Sequence, residues 1–247
     1  MKTVLALVAV MAAVVGMASA ANPPGCCGPR HLDQLTIGMA AVRQRPPASN
    51  LQGSVNMMMY FDFNAEVAAF FIGNFSENLE LYVQGGDIKK SFVYLPKYNV
   101  CTNITYQANI LAQTQLCVGT GTDHPNFATS INLGHAVETE SWGTADNHQY
   151  INVNPNGCVL TAVNQYDMPT AGGTMLGVYY NISTSVANDR VFNPPTACMS
   201  ASSSLDTIAA THGPRHLQEI TGAIDRSMNS LQDIMDMHHS VHKVTQH

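Results

Sequence analysis

Between Val55 and Phe63 the chain alternates. Val55, Met57, Met59, Phe61 and Phe63 fall on one side, and Asn56, Met58, Tyr60, Asp62 and Asn64 on the other. A period of two is the mark of a strand with one apolar and one mixed face. From Val67 to Ile72 the pattern changes: Val67, Ala69 and Phe71 alternate with Ala68, Phe70 and Ile72, so both faces are apolar. The two runs predict an antiparallel pair joined by a tight turn near Asn64-Ala65. Small alanines beside phenylalanines and flexible methionines leave adaptable space. Two readings are open: an ordinary sheet core, or the wall of a pocket for an apolar ligand, lined by Met57, Met59, Phe61, Val67 and Phe71.

Further strand patterns recur every ten or so residues. They cover Leu35 to Gln44, Leu79 to Gln84, Ile88 to Leu95, Val100 to Thr105, Ala136 to Trp142, Gln149 to Val153, Val159 to Tyr166 and Met175 to Ile182. Ile110 to Cys117 suits a helix or a strand equally. Arg45 to Asn50, Gly85-Gly86-Asp87, Gly119 to Pro125, Asn154 to Gly157 and Ala171 to Gly173 carry turn chemistry, and Pro96 ends a strand. The spacing predicts a mainly β antiparallel sandwich or open barrel.

The two ends differ from this body. Met1-Lys2, the apolar run Val4 to Val15 and Ala18-Ser19-Ala20 form a secretory signal peptide, cleaved after Ala20. No later run is long enough to span a bilayer. After Cys198 the chain turns small and polar. Leu217, Ile220, Ile224, Met228, Leu231, Ile234 and Met235 then recur at helical spacing, predicting an amphipathic C-terminal helix interrupted near Gly222. The expected organisation is residues 1–20 signal, 21–200 a β domain, and 201–247 a linker and helix packing on or beside it. The echo of Gly28-Pro-Arg-His-Leu32 in Gly213-Pro-Arg-His-Leu217 is too short to indicate a duplication.

Composition narrows the function. Only 11% of residues are charged, and without Lys2 the chain has 10 basic residues against 17 acidic ones, a net charge of −7. That balance argues against nucleic acid as a partner and permits calcium or a cationic partner. Six cysteines, Cys26, Cys27, Cys101, Cys117, Cys158 and Cys198, all follow the signal. An even count in a secreted chain reads as three disulfides, with adjacent Cys26 and Cys27 joined to different partners. Asn74, Asn103 and Asn181 stand in Asn-x-Ser/Thr sequons, making them candidate glycan acceptors.

Catalytic motifs are missing. The chain has no Gly-x-Ser-x-Gly elbow, no His-Glu-x-x-His, no phosphate loop and no dinucleotide-binding glycine pattern. His124, His135 and Asp123 have no recognisable companions. No catalytic residue is assigned, and the chain is read as a non-enzyme. In the histidine-rich tail (His238, His239, His242, His247), His238 and His242 share a helical face, as a metal pair or as a solvated helix end. Asp62, Asn64 and Glu66 begin with EF-hand spacing, but Val67 and Gly73 occupy its sixth and twelfth positions, so an EF-hand is rejected.

The Phe61-Asp62-x-Asn64 hairpin, the strand and Tyr-rich segment from Ile88 to Cys101, Cys158 after a turn, and Cys198 after Pro194-Pro195 together resemble the ependymin-related proteins over most of residues 26 to 200. The resemblance implies two stacked antiparallel sheets curved around a deep apolar pocket, a fold like that of the LolA-type lipoprotein carriers; it covers less of the tail beyond Cys198, where the amphipathic helix is read from the apolar stripe. It implies pairing of Cys27 with Cys158 and of Cys101 with Cys198, leaving Cys26 to Cys117. Glu66 stands where the family usually has a basic residue. The implied function is a secreted extracellular glycoprotein, often a homodimer, that holds a lipid or fatty acid in a β-lined pocket, with calcium as an associated ion. The alternative is a structural component of an extracellular or shell matrix that engages calcium or matrix partners. The ligand, the calcium ligands and the tissue stay unassigned.

Overall fold

The computed structural model describes residues 22–44, 51–73, 78–84, 87–104, 115–132, 138–166, 173–199 and, within 213–225, all but 216 and 223. The expected signal peptide, Arg45 to Asn50, Asn74, Gly85-Gly86, Ala171-Gly172, most of Ile110 to Cys117, and the tail with Met228, Leu231, Ile234, Met235 and its histidines lie outside the described residues.

The protein is mainly β and its strands are antiparallel. Eleven strands make one sheet: β2 (Gln34–Gln44), β3 (Leu51–Asp62), β4 (Val67–Gly73), β5 (Asn78–Gln84), β6 (Asp87–Leu95), β7 (Val100–Ile104), β9 (Asn126–Asn132), β10 (Glu138–Gly143), β11 (Gln149–Asn154), β12 (Val159–Gln165) and β13 (Thr174–Ser183). Their order is β7-β6-β5-β4-β3-β2-β13-β12-β11-β10-β9. Neighbours in the sheet are neighbours in sequence except at one point, where β13 joins β2 and closes the two halves. A second, two-stranded sheet pairs β1 (Cys26–Cys27) with β8 (Cys117–Val118).

A sheet this wide cannot stay flat, because each strand pair adds right-handed twist. Its inner face curves so that side chains from both ends meet. Phe70, Leu81, Val93 and Leu95 from one end share a single buried cluster with Trp142, Ile151, Val153 and Val163 from the other. Ile220 and Ile224, from the helical stretch 214–225, belong to the same cluster. The described start of the apolar stripe therefore packs on the inner face.

The outer face of β3 to β6 is aromatic. Tyr60 meets Phe71 edge-on at 5.7 Å between ring centroids, and Phe71 meets Tyr82 at 6.2 Å. Edge-to-face contacts of this kind add to the stabilisation from burial alone. Residues 184–198 run over this patch as a strap. Ser185 O accepts from Thr36 Oγ1 at 2.8 Å, Gln34 Oε1 accepts from Val186 N at 3.1 Å, and Phe192 O accepts from Gln84 Nε2 at 3.0 Å. Phe192 is buried against Ala69 and Tyr82. The strap ends at β7, where Cys198 bonds Cys101, as the family resemblance implies.

The other two disulfides differ from the implied set: Cys26 bonds Cys158, and Cys27 bonds Cys117. Strand alternation explains the exchange. Successive side chains on β1 point to opposite faces. Cys27 lies directly across from Cys117 in the β1–β8 register, with their Cα atoms 4.1 Å apart. Cys26 turns the other way, against the core, where Cys158 is buried. The close approach of the two segments beside β1 and β8 needs glycine. A Cβ on Gly119, whose φ is +110°, would lie 2.9 Å from the Cα of Gly25.

The pairing is testable by thiol mapping. Cys26→Ala will leave Cys158 as the alkylatable free thiol, and Cys27→Ala will leave Cys117. Mass spectrometry that finds Cys117 free in the Cys26 variant would restore the pairing implied by the family.

Candidate ligand-binding face

The hairpin forms where the alternation places it. Asp62 ends β3, residues 63–66 turn, and Val67 starts β4. Asp62 is the anchor of this turn. Its Oδ1 accepts from Ala65 N at 2.8 Å and its Oδ2 from Gln34 Nε2 at 2.8 Å. These bonds, chiefly that from Gln34, hold the carboxyl below its ordinary pKa. Glu66 takes φ +55°, a left-handed conformation that lets the chain reverse. Glu66, at the position where the resembled family has a basic residue, thus closes the turn with its backbone.

The even length of the turn sets Asp62 opposite Val67. Phe61 then pairs with Ala68, Met59 with Phe70 and Met57 with Ile72. Met57, Met59 and Phe61 face inward and are buried, as their alternation predicts. Val67 and Phe71 do not join them. They lie on the outer face with Tyr60 and Tyr82, half-buried under the strap. The two faces of Val67 to Ile72 are equally apolar, so hydrophobicity alone could not choose between them. The inward residues of β4 are Ala68, Phe70 and Ile72.

Two rows cross the inner face. One runs Tyr179, Met39, Met57, Ile72, Leu79 through five neighbouring strands. The next runs Ile37, Met59, Phe70, Leu81, Val93. Met39, Met57 and Met59 thus form a contiguous patch, and Met175, four residues before Tyr179 on β13, is buried in the same cluster. Thioethers are flexible and polarisable, so such a patch can fit different apolar shapes. Aliphatic Ile220 and Ile224 are buried in the same cluster. Met39, Met175 and Tyr179 were not singled out by the sequence, although Leu35, Ile37, Met39 and Ala41 do alternate.

Polar groups are few inside. Buried polar side chains among the described residues are Ser91, His124 and Gln149. His124 follows β8, and its carbonyl accepts from Gly119 N at 3.0 Å. Its Nε2 lies 2.9 Å from Gln149 Oε1, an oxygen that only accepts, so Nε2 carries the hydrogen. Nδ1 is buried without a partner. Burial, the largest influence, lowers the imidazole pKa against the raising effects of Gln149 and Asp123.

Asn103 on β7 and Asn181 on β13 are both exposed. Among the described residues, no group of three or more His, Cys, Asp or Glu side chains could hold a metal ion, and no helix is long and apolar enough to cross a membrane.

Comparison with solved structures finds a likeness to the crystal structure of a LolA superfamily protein from Nitrosomonas europaea. Identity is 11%, the TM-score is 0.33, and the match covers 66% of this chain and 91% of that one. No family model matches the sequence, and no curated protein matches it.

His124 gives a pH dependence with a definite sign. Its pKa is lower folded than unfolded, so the unfolded chain binds the proton more tightly. The stability this group contributes is complete above the unfolded value of about 6.5 and is lost as the pH falls below it. Urea midpoints at pH 7.5 and pH 5.0 will differ by less in His124→Gln than in the wild-type chain. Equal differences would show that the imidazole does not carry the effect.

Proposed function

We propose that this chain is a secreted, glycosylated member of the ependymin-related proteins that binds an apolar ligand on the inner face of its curved sheet, and that it acts by binding rather than by catalysis. The observation behind this reading is the contiguous buried patch of Met39, Met57 and Met59, backed by Phe61 and Phe70. An ordinary core is served best by side chains with one well-defined shape, such as leucine, isoleucine and valine. Methionines in contact instead give a surface that can repack around a guest. Ile220 and Ile224 lie against the same cluster, so an entering acyl chain would exchange one set of aliphatic contacts for another. Three disulfides support an extracellular setting. The exposure of Asn103 and Asn181, each in a sequon, supports glycan attachment.

Two measurements test this. Native protein extracted with organic solvent will release a lipid identifiable by mass spectrometry, and the delipidated protein will enhance the fluorescence of diphenylhexatriene. An empty extract together with no enhancement sinks the carrier function. Peptide:N-glycosidase digestion of the secreted protein will reduce its mass, and Asn103→Gln with Asn181→Gln will abolish the part of that shift carried at these two positions. An unchanged mass in the wild-type protein would remove the glycoprotein assignment.

A further inference from the structure

Tyr179 stands in the first inner row, across from Met39, at 6% exposure. Its hydroxyl is buried and has no hydrogen-bond partner. A phenylalanine would fill the same space without a polar group to satisfy, and leaving a buried hydroxyl unpaired costs stability. Tyr179 is paired directly with Met39 and belongs to the same apolar cluster as the methionines, so it borders the patch where the guest is read to bind. Burial raises the phenol's pKa, so the group stays protonated and can donate.

We infer that Tyr179 Oη is the polar contact for the ligand, and that the ligand is a neutral lipid with a carbonyl oxygen, such as an acyl ester, rather than an ionised fatty acid. This rests on the carrier reading above. A neutral head suits this face. Among the residues whose burial is described, no buried side chain is a lysine or arginine, and a carboxylate placed among those side chains would be an unpaired buried charge. An ester carbonyl needs only one donor, which the phenol supplies. A hydrocarbon with no acceptor would bind the methionine patch but leave Oη unsatisfied.

The experiment uses three probes on the full secreted chain at pH 8: parinaric acid methyl ester, parinaric acid and diphenylhexatriene. The wild-type protein is expected to prefer the ester to the acid. Tyr179→Phe is expected to weaken the ester about tenfold, the effect of one lost hydrogen bond, and to alter diphenylhexatriene, which has no acceptor, by much less. Its thermal midpoint should be equal to or above that of the wild type. Ester affinity unaltered by Tyr179→Phe would overturn the inference while the carrier function stands. Tighter binding of the acid would overturn the neutral head. If the wild-type protein binds none of the probes, the carrier function fails and the inference with it. A second readout does not depend on the variant. The infrared stretch of a carbon-13-labelled ester carbonyl should move to lower frequency on binding to the wild-type protein. An unshifted band in the bound ester would overturn the proposed hydrogen bond.

Discussion

A single sheet of eleven strands has one inner face to hide from water, and the rest of the molecule is arranged by that requirement. Twist alone brings the two ends of the sheet toward one another, so Leu81 and Val93 share a core with Ile151 and Val163. β1, β8 and the turn carrying Cys158 pack onto this core, fixed by the Cys26–Cys158 bond. The helical residues 214–225 add Ile220 and Ile224. On the outside, the strap from Ser185 to Cys198 covers aromatic side chains that would otherwise meet solvent. Each accessory element is explained by the surface it removes from water.

The same requirement shapes the candidate site. An inner face built from Leu, Ile and Val would be simply a core. Here its middle holds Met39, Met57 and Met59, and beside them a phenol whose oxygen is unpaired. In the proposed function, the soft side chains would make room and the phenol would give direction. That combination of an adaptable apolar wall with very few placed polar groups is the usual physical make-up of a small-molecule site.

How much of this could be read in advance varies with the residue. Strict alternation from Val55 to Phe63 identified β3 and its buried side correctly, because polar residues marked the other face. Val67 to Ile72 offered no such mark, and the turn length, not hydrophobicity, turned Val67 and Phe71 outward. β9 leaves no apolar pattern in the sequence because Asn126–Asn132 is an edge strand that is largely polar, with Ala128, Thr129 and Ser130 all exposed. Cys26 and Cys27 were recognised as joined to different partners. Which one faced the core depended on a two-residue strand too short to leave a pattern.

By itself, the sequence determined the mainly β antiparallel class, most of the strands, the Asn64-Ala65 turn, the inward methionines of β3 and the apolar stripe that docks at Ile220 and Ile224. These are local properties, fixed by period and turn chemistry within a few residues. Only the tertiary structure decided that β13 closes against β2, that Cys26 meets Cys158, that Met39 and Tyr179 join Met57 in one row, and that His124 is buried beside Gln149. Each of these joins positions far apart in the chain. Such contacts arise from register and curvature, which no short window of sequence contains.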